Sequence, residues 1–209
     1  MDLQPVTLNG RHARLEPLAL SHLAGLQEAV QDGELCKLWY TSIPTAEGME
    51  AEIHRRLALQ TSANMLAFTV IDLQQQRIAG MTTYMNVDRP NRRVEIGATW
   101  YCQSAQRTSL NTECKRLLLG HAFEELRCIA VEFRTHVFNQ QSRRAIERLG
   151  AKLDGILRQH QINSHPLANQ ALRDTCVYSI IDSEWPNVKL HLDHQLSRTR
   201  LASHGQPLC

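Results

Sequence analysis

The stretch Gln103-Ser-Ala-Gln-Arg-Thr-Ser-Leu-Asn-Thr-Glu-Cys-Lys-Arg-Leu-Leu-Leu-Gly-His-Ala-Phe-Glu-Glu-Leu126 decides how this chain is read. Cys114, Leu117, Leu118, Phe123 and Leu126 recur at helical spacing, which predicts an amphipathic helix with one face on a sheet. The polar run Gln106–Asn111 leads into that helix. A helix start carries unpaired backbone N–H groups and the positive dipole end, and so attracts anions such as phosphate. Upstream, Arg93–Tyr101 reads as a strand, with Val94, Ile96, Ala98 and Trp100 on one face and Glu95, Gly97, Thr99 and Tyr101 on the other. Downstream, Ile129, Val131, Phe133 and Thr135 alternate again. Strand, crossover helix and strand make a βαβ unit whose strands should be parallel.

The flanking sequence extends this unit in both directions. Residues 6–16 predict a strand pair folded at Asn9-Gly10, a strong hairpin dipeptide. Leu23, Leu26 and Val30 begin a helix stopped by Gly33, and Met49, Ile53 and Leu57 mark a second from about 46 to 59. Met65–Ile71 and Ile78–Val87 form an antiparallel pair across Gln74-Gln75-Gln76. After the βαβ unit, Asn139–Leu149 is a short helix with Gly150 as its left-handed cap. Two strands, Leu153–His160 and Thr175–Ile181, flank a polar loop, and a last helix begins at Ser183 with Val188, Leu192 and Leu196 on its apolar side. The expected architecture is a single α/β domain over residues 1–196, a mixed central sheet with helices on both faces, and a flexible tail at 197–209.

Composition narrows the class. Apolar residues are 43% and charged residues 21%, the balance of a soluble globular chain. A net charge of +2 implies no polyanionic partner, and the basic residues 143, 144 and 148 are too few for a nucleic-acid surface. The six cysteines lack any Cys-x-x-Cys pair, which suits free thiols in a reducing compartment. No basic-then-apolar leader opens the chain, and no run approaches the ~20 apolar residues of a membrane span. His191-x-x-His194 lacks further ligands, so no metal site is expected. The reading is a cytoplasmic protein, monomer or homodimer, with neither nucleic acid nor membrane as partner.

Taken together, Glu95-Ile-Gly97, the loop into Asn111-Thr-Glu113, Asn139-x-x-Ser142 and Leu149-Gly150 resemble, in that order, the GNAT acyltransferase superfamily. Within it they are most similar to the branch that includes the ribosomal-protein alanine N-acetyltransferases. The resemblance spans about residues 6 to 192. It implies acetyl transfer from acetyl-CoA to a primary amine, a protein N-terminus or a small molecule, by direct attack and without a metal.

The resemblance also assigns roles. In the family a loop of pattern Gln/Arg-x-x-Gly-x-Gly/Ala closes around the CoA pyrophosphate. Here Gln106, Arg107, Thr108, Ser109, Leu110, Asn111 and Thr112 fill it, with Ser109 and Asn111 at the small-residue positions. If those positions need positive φ, the missing glycines are costly, which motivates an alternative reading as a catalytically weak acyl-CoA sensor or scaffold. Asn139 corresponds to a residue that binds the CoA arm, and Ser142 to a general acid for the departing thiolate; read alone, Asn139 is equally a helix cap. Arg143 is placed to reach the phosphates. Glu95 corresponds to the base that deprotonates the acceptor, against a plain reading as an ion pair with Arg92 or Arg93. Backbone N–H groups around Thr99, Trp100 and Tyr101 are expected to polarise the thioester carbonyl. Trp39 and Tyr40 lie in a stretch that walls the acceptor groove in the family, although aromatic residues near a core also serve as packing.

Overall fold

A computed structural model describes residues 1–62, 64–163 and 165–202. Among them, eight strands form one sheet: β1 (Leu8–Asn9), β2 (Ala13–Pro17), β3 (Met65–Asp72), β4 (Arg77–Asp88), β5 (Arg93–Tyr101), β6 (Ala130–His136), β7 (Lys152–Ile162) and β8 (Leu172–Ile181). Their spatial order is β1-β2-β3-β4-β5-β6-β8-β7. Every neighbouring pair is antiparallel except β5–β6, which is parallel because a helix crosses over between them. The helices are α1 (Leu23–Gln31), α2 (Met49–Thr61), α3 (Ser109–Gly120), α4 (Gln140–Arg148) and α5 (Trp185–Ala202). The chain is a single α/β domain, and the expected order of strands and helices holds throughout.

Side chains on β4 show which helix covers which face. Thr83 meets Arg56 of α2 at 2.7 Å, whereas Thr82 meets Lys115 of α3 at 3.3 Å and the Tyr84 hydroxyl donates to the Leu118 carbonyl at 2.5 Å. Alternation along the strand therefore puts α2 on one face and α3 on the other. α5 packs beside α3, where Trp185 stacks on Phe123 and Arg116 lies 5.3 Å over the Trp185 ring. Gly150 adopts φ +98 after α4, as the expected left-handed cap, and a Cβ there would meet Val188 of α5 at 3.1 Å.

One departure changes the face assignments. Met81 pairs with Trp100 but Thr83 pairs with Gly97, so β5 carries an extra residue between them. Ala98, at φ 46, is the bulge. Beyond it the alternation resets. Thr99 bonds Thr82 and Lys115 on the α3 side, at 2.8 and 2.9 Å, sharing the face of Ile96. Tyr101 likewise meets Cys114 of α3. Thr99 and Tyr101 thus do not share Glu95's face as the unbroken alternation predicted; Trp100 takes that side instead.

Glu113, in the first half of α3, is buried, and its carboxylate accepts from the backbone N–H groups of Arg11 (3.0 Å), His12 (2.5 Å) and Ala13 (2.6 Å). This one side chain satisfies the turn of the β1–β2 hairpin. Glu113→Ala would leave three amides unmet, at roughly 1–3 kcal/mol for each fully buried group. The variant should lose about 2–4 kcal/mol, measured by urea unfolding, with Glu113→Gln falling between it and the native chain.

The last helix runs to Ala202, so the expected boundary at 196 falls inside it, and residues 203–209 lie outside those described.

Candidate functional site

β5 and β6 pair only through Arg93↔Ala130, Val94↔Val131 and Glu95↔Glu132. Past Glu95 the two strands part. Crevices at the carboxyl ends of parallel strands, where the sheet order reverses, are favoured ligand sites. Among the described residues β5 has no pairing with β6 from Ile96 onward, and the Ala98 bulge further re-aims this segment. The Ala98 carbonyl is held by Arg56 Nη2 at 3.2 Å. The segment expected to polarise a carbonyl, Thr99 to Tyr101, thus follows directly on the bulge and lies on this free edge.

Glu95 closes the narrow end of the gap. The residue is 5% exposed, and its Oε2 accepts from Asn86 Nδ2 at 2.7 Å. Burial raises its pKa from 4.5, against the opposing pull of the Asn86 hydrogen bond and Arg134. The ion-pair partner is Arg134 of β6, at 3.4 Å, and not Arg92 or Arg93; Arg93 binds Glu132 instead, at 2.6 Å. Gly97 is bare for a reason: a Cβ there would meet Glu95 Oε1 at 2.8 Å and Met85 Sδ at 2.7 Å. The carboxylate folds back over that glycine.

At the other side of the gap, Thr108 caps α3: its Oγ1 accepts from the Leu110 N–H at 3.2 Å and donates to the Ala105 carbonyl at 2.8 Å. Ser109, Leu110, Asn111 and Thr112 form the first turn of α3. The left-handed residue of this loop is Arg107, at φ 63, and neither Ser109 nor Asn111 has positive φ. The glycines absent at 109 and 111 therefore carry no backbone penalty. Arg107 is exposed, beside a helix N-terminus. Gln106 is scaffolding: Nε2 donates to the Tyr101 carbonyl at 3.1 Å, and Oε1 accepts from Gln141 of α4 at 3.2 Å. That last bond links the two rims of the crevice.

Asn139 caps α4, its Oδ1 accepting from the Ser142 N–H at 3.0 Å. Among the described residues its Nδ2 and the Ser142 hydroxyl have no partner, so both are available to a ligand. Arg143 turns inward, its Nε donating to the Tyr178 hydroxyl at 3.0 Å and Nη1 to the Val137 carbonyl at 3.3 Å. It fixes α4 on β8 and is not grouped with the α3 loop.

Trp39 and Tyr40 gather at the end of β6. Trp39 lies 5.1 Å from His136 and 6.0 Å from Phe138 between ring centroids, and 5.5 Å from Tyr40. Asn163 Nδ2 donates to the Trp39 carbonyl at 3.1 Å, and His165 Nε2 lies 3.1 Å from the Cys36 carbonyl. The loop after α1 and the loop after β7 thus meet as one wall. Burial pushes the thiols of Cys114 and Cys128 up to about 12 and about 11, so neither is an activated nucleophile.

Asn86 and Arg134 contact Glu95, His136 contacts Trp39 and Gln141 bonds Gln106, and sequence alone singles out none of the four. Glu132, Arg134 and His136 do stand at period two, alternating with Val131, Phe133 and Thr135, a charged face that signals a lined groove.

A family model for the acetyltransferase (GNAT) domain matches residues 12–152. A Bacillus subtilis (strain 168) protein named as a candidate ribosomal N-acetyltransferase, YdaF, is 30% identical over 112 residues, which span 54% of this chain and 58% of that protein. The chain therefore spans a little over half the length of that curated relative. Among solved structures, a GCN5-related N-acetyltransferase from Brucella melitensis is 31% identical with a TM-score of 0.81, covering 92% of this chain and 86% of that one. RimL, a ribosomal L7/L12 alpha-N-protein acetyltransferase, covers 86% and 96% of the two chains at a TM-score of 0.73, and at 18% identity is alike in fold alone.

Proposed function

Because the chain belongs to the GNAT acetyltransferase family, we propose that it is an acetyl-CoA-dependent N-acetyltransferase acting on a primary amine. The observation that carries this reading is Glu95, a buried carboxylate with raised pKa at the point where β5 and β6 part. In this reading the acceptor ammonium gives up a proton to Glu95, directly or through water, and the neutral amine attacks the thioester carbonyl. The C–N bond forms and the C–S bond breaks; Ser142 donates its hydroxyl proton to the CoA thiolate and takes back, through water, the excess proton that the newly acylated nitrogen releases, so the hydroxyl is restored. Free amides of the bulged β5 segment receive the carbonyl oxygen's developing charge. The N-terminus of α3 with Arg107 takes the pyrophosphate, and the Asn139 amide takes the pantetheine arm. The raised pKa values of Cys114 and Cys128 disfavour these two buried thiols as acyl carriers. The sensor alternative loses the support of backbone strain, since neither Ser109 nor Asn111 has positive φ.

Acetyl-CoA at a hundredfold excess over its dissociation constant should add about 2.7 kcal/mol of stability, read as a rise in melting temperature of roughly 5–10 °C for a chain this size. Arg107→Glu should shrink that rise by placing a negative charge at the helix start. A native protein whose melting is indifferent to acetyl-CoA would refute the donor assignment. Thiol release against a panel of amines and peptide N-termini then tests transfer itself.

A further inference from the structure

The sheet face beyond Glu95 has a charge pattern that acetyl transfer alone does not require. β6 and β8 pair in the register Glu132↔Ser179, Arg134↔Val177 and His136↔Thr175, so Glu132, Arg134 and His136 share a face with Thr175 and, two residues on, Arg173. Glu95 joins this face through its pairing with Glu132. The two carboxylates are already served: Glu132 by Arg93 and Arg134, at 2.6 and 2.9 Å, and Glu95 by Arg134. Arg173 is different. It is partly buried, its Nε donates to Thr175 Oγ1 at 3.2 Å, and among the described residues no carboxylate stands within ion-pair distance. Its neighbour Asp174 lies on the opposite face, accepting from the Gln159 N–H at 2.7 Å. Arg173 and Glu95 nonetheless feel each other's charge, and burial disfavours the Arg173 cation. A partly desolvated guanidinium that no carboxylate pairs directly gains from a ligand carboxylate that does.

Resting on the acetyl-transfer reading, we propose that Arg173 binds a carboxylate of the acceptor, so that the substrate is an amine carrying an anionic group close to its reacting nitrogen. An ammonium alone would meet two guanidinium groups, Arg134 and Arg173, on its way to Glu95. An amino acid, or a peptide N-terminus followed by an acidic side chain, matches both signs. Arg is suited to this, since its planar fork binds carboxylate bidentately. Trp39, exposed and set edge-to-face against the buried His136, supplies an adjacent aromatic wall for the remainder of the acceptor.

The test uses the full chain and matched acceptors: phenylalanine against phenethylamine, histidine against histamine, tryptophan against tryptamine, and a short peptide with Asp at its second position against the same peptide with Asn. The anionic member of the amino-acid or the peptide pairs should be favoured roughly ten- to a hundredfold in kcat/KM, carried by KM, and which set responds identifies the source of the carboxylate. Arg173→Met should erase that preference by lowering the anionic member's kcat/KM, while the neutral member's kcat/KM does not fall and rises if removing one of two opposing cations eases its approach; Arg173→Lys, which keeps the charge without the fork, should retain part of the preference. Equal kcat/KM for charged and neutral members overturns the proposal, as does an Arg173→Met loss shared equally by both. No turnover of any acceptor by a protein still stabilised by acetyl-CoA would overturn the transferase reading, and this inference with it.

Discussion

Glu95→Gln should cut amine-dependent acetyl transfer by roughly two to four orders of magnitude while leaving acetyl-CoA binding intact. Gln preserves the shape and can still accept from Asn86, but it cannot take a proton. In the native chain the rate at limiting amine should rise with pH as Glu95 ionises, then level off. Burial sets that limb above the ordinary carboxylate value of 4.5. In the variant the limb should vanish or move.

Stability should respond in the opposite sense, which separates a catalytic role from a structural one. Because the folded pKa is raised, the folded state holds the proton more tightly than the unfolded chain. The stabilisation this gives is fully present below the unfolded value and is lost as pH rises through the folded one. At neutral pH the native protein therefore carries a buried charge that Glu95→Gln removes, and the variant's melting temperature should be equal or higher. A purely structural ion pair with Arg134 predicts the reverse: lower melting temperature, with activity still following the native pH profile. Rate and melting temperature for both proteins across pH 5–9 (a range of about the span over which carboxylate and amine titrate) decide the matter.

The element order was legible because it rests on local periodicity: period two along Met65–Asp72 and Arg93–Tyr101, helical spacing from Cys114 to Leu126, and turn chemistry at Asn9-Gly10 and Gly150. The Ala98 bulge was not. Alanine carries no signal for positive φ, and the extra residue shows only when β4 and β5 are set in register. That single residue moved Thr99 and Tyr101 to the α3 face and placed Lys115 against Thr99. The partner of Glu95 was hidden for a similar reason. Arg92 and Arg93 are neighbours in sequence, whereas Arg134 reaches Glu95 only through the parallel β5–β6 pairing across 39 positions.

The site was legible to the same extent. Glu95, Asn139 and Ser142 are candidates because family motifs are contiguous in sequence; in the structure Glu95 sits where β5 and β6 part, and Asn139 and Ser142 sit at the start of α4, which follows β6. Glu113 sits inside such a motif, yet its observed work is to satisfy the β1–β2 turn. Arg143, expected at the phosphates, is drawn away by Tyr178 and Val137, residues that no local pattern joins to α4. Trp39 and Tyr40, which the resemblance assigns to an acceptor wall, pack against His136, and Trp39 also meets Phe138 and bonds Asn163, from chain segments about a hundred residues away that no local pattern joins to them.

Ser142→Ala is the other expected large loss, about ten- to a thousandfold in turnover. General-acid contributions reach higher, but a thiol of pKa near 8.5 leaves more readily as an anion than an alcohol would, which places the effect toward the lower end. The substitution is structurally mild. What Asn139 caps is the backbone N–H at 142, and alanine keeps it; among the described residues the Ser142 hydroxyl bonds nothing, so its removal leaves no group unpaired. Fold and acetyl-CoA-induced stabilisation should therefore persist. The split between kinetic constants then distinguishes the two roles a hydroxyl can have here. Loss of proton donation lowers kcat with little change in the KM for acetyl-CoA, and a single-turnover measurement should show the slow step to be acetyl transfer itself. Loss of a mere contact to the CoA arm raises KM and leaves the transfer step fast. Ser142→Thr, which restores a hydroxyl at the same position, should recover part of the rate in the first case. If the alanine variant transfers acetyl at the native rate, the thiolate takes its proton from water, and the start of α4 serves only to hold the donor.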